Sequence, residues 1–133
     1  MKTFQFNKLV RDKIPTAIKS RGGIVAARKL NQKEYVKELI KKLNEETSEL
    51  GRNLPPTEVT EELADIIEVV SAIQKVFKIS DSELQSIRQK KNLKNGAFDK
   101  RLFIDRIKVS DNDPWINHYR KNSNRYPEIK SKR

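Results

Sequence analysis

The sequence predicts a mainly helical protein: an antiparallel helical bundle with a short extended N-terminal arm and minor β segments. Three observations carry that prediction. Apolar residues recur at helical spacing from Gln32 to about Arg52 and again from Thr57 to about Lys78. Glycine and proline are scarce, 4 and 5 in 133 residues, and Pro55-Pro56 falls between the two periodic segments. Asn31 and Thr57, residues suited to capping a helix N-terminus, stand where each segment begins.

The elements follow in order. Phe4 to Val10 is short and mixed and reads as an extended arm or a strand. Asp12 caps a short helix with Pro15 in its first turn, where proline is tolerated. Arg21-Gly22-Gly23 stops it, because paired glycines punctuate. Ile24 to Leu30 is brief and partly β-branched, a strand or a loop. Tyr35, Val36, Leu39, Ile40, Leu43 and Leu50 mark the apolar face of the first long helix, and Leu54-Pro55-Pro56 breaks it. Val59, Leu63, Ile66, Ile67, Val70, Ile73 and Phe77 mark the second. Ser80 or Asp81 opens a third helix through Leu84 and Ile87 to about Leu93, and Asn95-Gly96 ends it. Leu102 to Val109 alternates partly, as a strand would. Residues 1–109 form one domain on this reading. Residues 110–133, with Trp115, Tyr119 and Tyr126 among Asn, Ser, Pro and basic residues, form a weakly structured basic tail.

Composition narrows the function. Hydrophobic and charged residues each make up 35%, and mean hydropathy is -0.80. A chain this polar builds a thin core or shares apolar surface with another copy, so a homo-oligomer is expected. No apolar run is longer than Ile24 to Ala27, so no membrane-spanning segment is expected and a cytoplasmic location is the default. There is no cysteine, and the single histidine, His118, cannot make a zinc site alone and reads as an exposed tail residue.

The net charge of +11 invites a nucleic-acid-binding reading. Its distribution argues for something narrower. Residues 1–43 carry 12 basic and 3 acidic side chains, residues 44–84 carry 3 and 10, residues 85–109 carry 8 and 2, and the tail carries 6 and 3. An acidic centre between basic flanks suits a site that holds a divalent cation and grips phosphates.

The acids are arranged to do this. Glu46 with Glu49, and Glu62 with Asp65, are pairs at i, i+3 on the two long helices. On an ideal wheel Glu46 lies roughly 40° from the centre of its apolar arc and Glu49 near 100°. Glu62 and Asp65 lie about 50° and 110° from theirs, in the same rotational sense. Glu45, Glu61 and Glu68 lie farther round and read as solvated. A short link makes the helices antiparallel, and equal offsets on antiparallel helices converge on one groove. Carboxylates at a core border are costly unless compensated, and mutual repulsion raises their pKa values. A divalent cation relieves both, and an all-oxygen set favours Mg²⁺, or Mn²⁺, over zinc. The alternative is an ordinary solvated acidic face paired with lysines at i+4.

Glu45-Glu46-Thr47-Ser48-Glu49 and, after a loop, Glu61-Glu62-Leu63-Ala64-Asp65 resemble the ExxE…ExxD signature of MazG-like nucleoside triphosphate pyrophosphohydrolases, an all-α superfamily. Asn7-Lys8-Leu9-Val10-Arg11-Asp12-Lys13-Ile14-Pro15 resembles the opening of a subgroup of its small members. Lys90-Lys91 to Asn95-Gly96-Ala97-Phe98-Asp99-Lys100-Arg101 resembles that subgroup's closing K…RGGF-type motif. The pattern departs at Asn95, where arginine is usual, and at Ala97, where the second glycine is usual; the tail has no counterpart in it. The resemblance implies that Glu46, Glu49, Glu62 and Asp65 ligate Mg²⁺ and carry the catalysis. A (deoxy)nucleoside triphosphate is then cleaved at the α-phosphorus to a monophosphate and pyrophosphate. It further implies that Lys91, Lys94 and Lys100 neutralise phosphate charge, that Arg11 and Lys8 reach the site from the arm, and that the protein is a dimer or tetramer. Phe98 stacks on the base or, more simply, fills core. Two rival readings remain open: a nucleic-acid binder using the basic tail and its aromatics, and a helical interaction module.

Overall fold

The computed structural model describes residues 1–130. Its elements are α1 (Ile14–Ser20), α2 (Gln32–Leu50), α3 (Pro56–Phe77), α4 (Asp81–Asn95) and α5 (Ile116–Lys121). The protein is mainly helical, as expected. No strand occurs among the described residues, so the minor β segments are a correction. Phe4–Val10, Ile24–Leu30 and Leu102–Val109 run without ladder partners, and a strand exists only as part of a ladder. No helix among the described residues is long and apolar enough to cross a membrane.

Local chemistry explains most boundaries. α1 starts after Lys13 with Pro15 in its first turn, and Asp12 gives it no cap. It ends where Gly22 takes φ 84° and Gly22 and Gly23 donate to the carbonyls of Lys19 and Ile18, closing a Schellman turn. A Cβ on Gly23 would stand 2.6 Å from Ile18 Cγ2, so the second glycine answers a close approach. Asn31 caps α2: its side-chain oxygen accepts from Glu34 N–H at 2.9 Å, its amide donates to Glu34 Oε1 at 2.8 Å, and Arg28 donates to Glu34 Oε2. Asn31→Ala is expected to destabilise the protein by about 1 kcal/mol, read as a lower urea midpoint with unchanged slope.

α2 stops at Leu50, two residues before the expected Arg52. α3 opens at Pro56, with Pro55 at the cap position, so Thr57 lies inside the helix. Proline at the first helical position has no N–H to leave unsatisfied, and the Glu58 and Val59 N–H groups both donate to the Pro55 carbonyl. α3 ends with Lys78 at φ 55° and Ile79 N–H on the Gln74 carbonyl. Ser80 then caps α4 through its hydroxyl to Glu83 N–H, and Gln74 donates to Asp81 across the junction.

The chain divides into two compact units, Met1–Lys94 and Asn95–Arg133. In the first, α2 and α3 pack as an antiparallel hairpin, and among the described residues they are the only helices packed on each other. The buried core is small: Leu39 at 3% exposure and Val69 at 8%. Ile40, Leu63 and Ile67, assigned to apolar faces by spacing, are largely exposed, and so are Phe77, Ile87 and Leu93. In the second unit the tail is more ordered than expected. Asp113 Oδ1 accepts from Trp115 N–H and starts the turn into α5, and the rings of Trp115, His118, Tyr119 and Tyr126 pack on one another at 5.3–5.9 Å. Phe98 is 97% exposed, which overturns its reading as core filler.

Candidate metal centre

The hairpin positions the acids. The C-terminal half of α2 lies against the N-terminal half of α3, and the i, i+3 pairs sit where the two helices meet. Glu46, Glu62 and Asp65 each offer a carboxylate oxygen within 4.8 Å of the other two. All three are half-buried. Glu49, the fourth expected member, stands outside this trio, its Oε2 3.2 Å from Arg52 Nη1.

Glu62 is the strained member. Its Oε2 is shut off from solvent and has no hydrogen-bond partner. Its pKa is raised above a glutamate's ordinary 4.5, first by burial, then by a hydrogen bond with Glu46, then by the charges of Glu46, Asp65 and Glu49. A hard divalent cation would relieve this crowding of negative charge. Three carboxylates with one bare oxygen suit Mg²⁺ or Mn²⁺.

Two cations flank the trio. Arg11 Nη2 lies 2.7 Å from Asp65 Oδ1, which brings this arm residue to the trio. Lys42 Nζ stands 3.4 Å from Glu45 and 3.6 Å from Glu46. Lys42 was not singled out from the sequence, although its place four residues before Glu46 was a readable signal.

The remaining basic residues are not gathered here. Lys8 stands over the Phe6 ring and lines a cleft of about 390 Å³ between the arm and α2, with Glu38, Lys41 and Glu45. Lys91 and Lys94 are exposed on α4, which packs on neither α2 nor α3. Neither they nor Lys8 pairs with the four acids among the described residues. Lys100 is an exposed residue of the Asn95–Arg133 unit. His118 is exposed in the tail, as expected.

Compared with models of protein families, with curated proteins and with solved structures, the chain matches none.

Proposed function

We propose that this protein is a Mg²⁺-dependent, MazG-like pyrophosphohydrolase acting on a (deoxy)nucleoside triphosphate. One observation carries the reading: three carboxylates from two facing helices meet within 4.8 Å, and one of their oxygens, Glu62 Oε2, is buried without a partner. An acidic face kept for solubility would point its oxygens at water. This one turns an oxygen away from water and leaves it bare, a cost that a bound cation would offset.

Glu46, Glu62 and Asp65 would hold the ion, with Glu49 adding negative charge beside them. When bound, Mg²⁺ neutralises triphosphate charge and acidifies water. One of the carboxylates orients the attacking water or accepts its proton. The water oxygen forms a bond to the α-phosphorus, the bond from that phosphorus to the bridging oxygen breaks, and pyrophosphate leaves. Arg11 and Lys42 are the cations nearest the site and take phosphate oxygens there. A second copy covers the apolar surface that α3 and α4 expose, in a dimer or tetramer, and a cytoplasmic location goes with a nucleotide substrate.

The tail does not favour the nucleic-acid alternative. Its rings are engaged with one another edge-on or tilted, and Arg125 sits 5.8 Å from the Tyr126 ring. The test is a panel of every NTP and dNTP with Mg²⁺, read as pyrophosphate release. Pyrophosphate is expected from at least one nucleotide, and Glu46→Ala and Asp65→Ala should each abolish it. Silence across the panel, or activity that survives either substitution, overturns the proposal.

A further inference from the structure

The proposed function gives Arg11 a phosphate to hold but does not explain why it holds Asp65. It belongs to the arm, yet its guanidinium spans 54 positions of sequence to hold Asp65. Its own carbonyl accepts from Ile14 N–H at 3.1 Å, so the residue is fixed at the entry to α1. Upstream, Asn7 turns the arm with φ 45°. The pair is open to water, with side-chain exposures of 59% for Arg11 and 40% for Asp65, and such pairs exchange readily. Asp65 is also one of the three carboxylates that would hold the divalent ion. A guanidinium and an incoming dication repel each other and compete for the same acid. Once displaced, the planar guanidinium is the side chain best shaped to take two phosphate oxygens.

We propose that Arg11 is a resident counter-cation that changes partners: it holds Asp65 until a divalent ion enters the trio, then turns to the phosphates of the incoming nucleotide and carries the arm with it. The inference rests on the reading of the trio as a metal centre. It assigns Arg11 a positioning role that couples metal, substrate and arm. Two signs must then oppose each other. Removing Arg11 should tighten binding of the bare ion, since a competitor and a repelling charge are both lost, and should weaken binding of the nucleotide.

The experiment titrates Mn²⁺ alone into the full chain, followed by electron paramagnetic resonance, with hydrogen exchange of the Ile14 amide, which ties the arm to α1 through the Arg11 carbonyl, alongside. Arg11→Gln should bind Mn²⁺ roughly two- to fivefold tighter than the wild type. It should also raise KM for the hydrolysed nucleotide severalfold, with kcat changing less. Arg11→Lys keeps the charge and loses the fork, so it should return Mn²⁺ affinity toward wild type while KM stays high. In the wild type, Mn²⁺ should speed exchange of this amide; in Arg11→Gln it should exchange fast throughout. Mn²⁺ affinity that is unchanged or weaker in Arg11→Gln, or wild-type Ile14 exchange indifferent to Mn²⁺, overturns the partner exchange. If in that case Mn²⁺ still binds and Glu46→Ala removes it, the metal centre stands and only the role of Arg11 falls. If the wild type binds no Mn²⁺, both fall together.

Discussion

Glu62→Gln should abolish Mg²⁺-dependent pyrophosphate release and, in the absence of metal, leave the protein more stable than the wild type. The two effects share one cause. In the free protein Glu62 keeps an oxygen buried and unpartnered beside Glu46 and Asp65. An uncharged amide removes the repulsion and supplies an N–H that can donate to Glu46. The same amide is a poor ligand for a hard cation. Loss of an outer partner of a metal site typically costs 10- to 100-fold, so loss of a ligand should cost activity at least roughly a hundredfold.

The pH dependence follows from the direction of the Glu62 shift. Its pKa in the folded state lies above the ordinary 4.5. The folded protein therefore holds this proton more tightly than the unfolded chain does. The stability that proton contributes is complete below about 4.5 and fades as pH rises through the raised value. The amide of the Glu62→Gln variant carries no such proton, so the gap in Tm between variant and wild type, measured without metal, should widen over that range. Mg²⁺ favours the ionised form, so its stabilisation of the wild type should grow over the same range and be missing from the variant. A gap that is flat with pH, or a variant less stable than the wild type, would show that Glu62 is an ordinary helix-surface acid.

The hairpin and its acids were legible because both depend on local periodicity. Asn31, the breaks around Pro55 and the i, i+3 spacing of Glu46/Glu49 and Glu62/Asp65 are set within a few residues of chain. Equal angular offsets on antiparallel helices then fix the convergence. All four acids were expected to converge; Glu49 instead stands outside the trio, paired with Arg52. The expected strands failed too. Leu102–Val109 alternates like a strand, but a ladder needs a neighbour, and alternation does not say whether one exists. The ring cluster of the tail was hidden too, since it depends on Tyr126 folding back over α5 from beyond its end.

Ile67→Asp is expected to have the largest effect on assembly. α3 carries an apolar arc wider than the α2 contact covers, opposite the exposed Glu61, Glu68 and Lys75. Val69 is buried and Ile66 and Ile73 are half-buried, while Leu63, Ile67 and Phe77 form a separate stripe that stays exposed, Ile67 by 67%. The part of an apolar arc that its own helix partner leaves open is normally covered by another surface. Two buried residues are also too little apolar burial to hold a chain of this length against the entropy of ordering it. A second copy meeting this stripe about a two-fold axis answers both shortages. Covering Ile67 would contribute about 1.5–3 kcal/mol per copy, and a two-fold interface counts it twice. Aspartate there forfeits that and adds a charge to be desolvated. At a factor of ten per 1.4 kcal/mol, dissociation should strengthen by roughly 10² to 10⁴. Light scattering should therefore find the wild type at a multiple of 15.5 kDa and Ile67→Asp near 15.5 kDa, with less helical circular dichroism. A wild type that is monomeric and fully helical would sink the argument, because α2 and α3 would then hold together on Leu39 and Val69 almost alone.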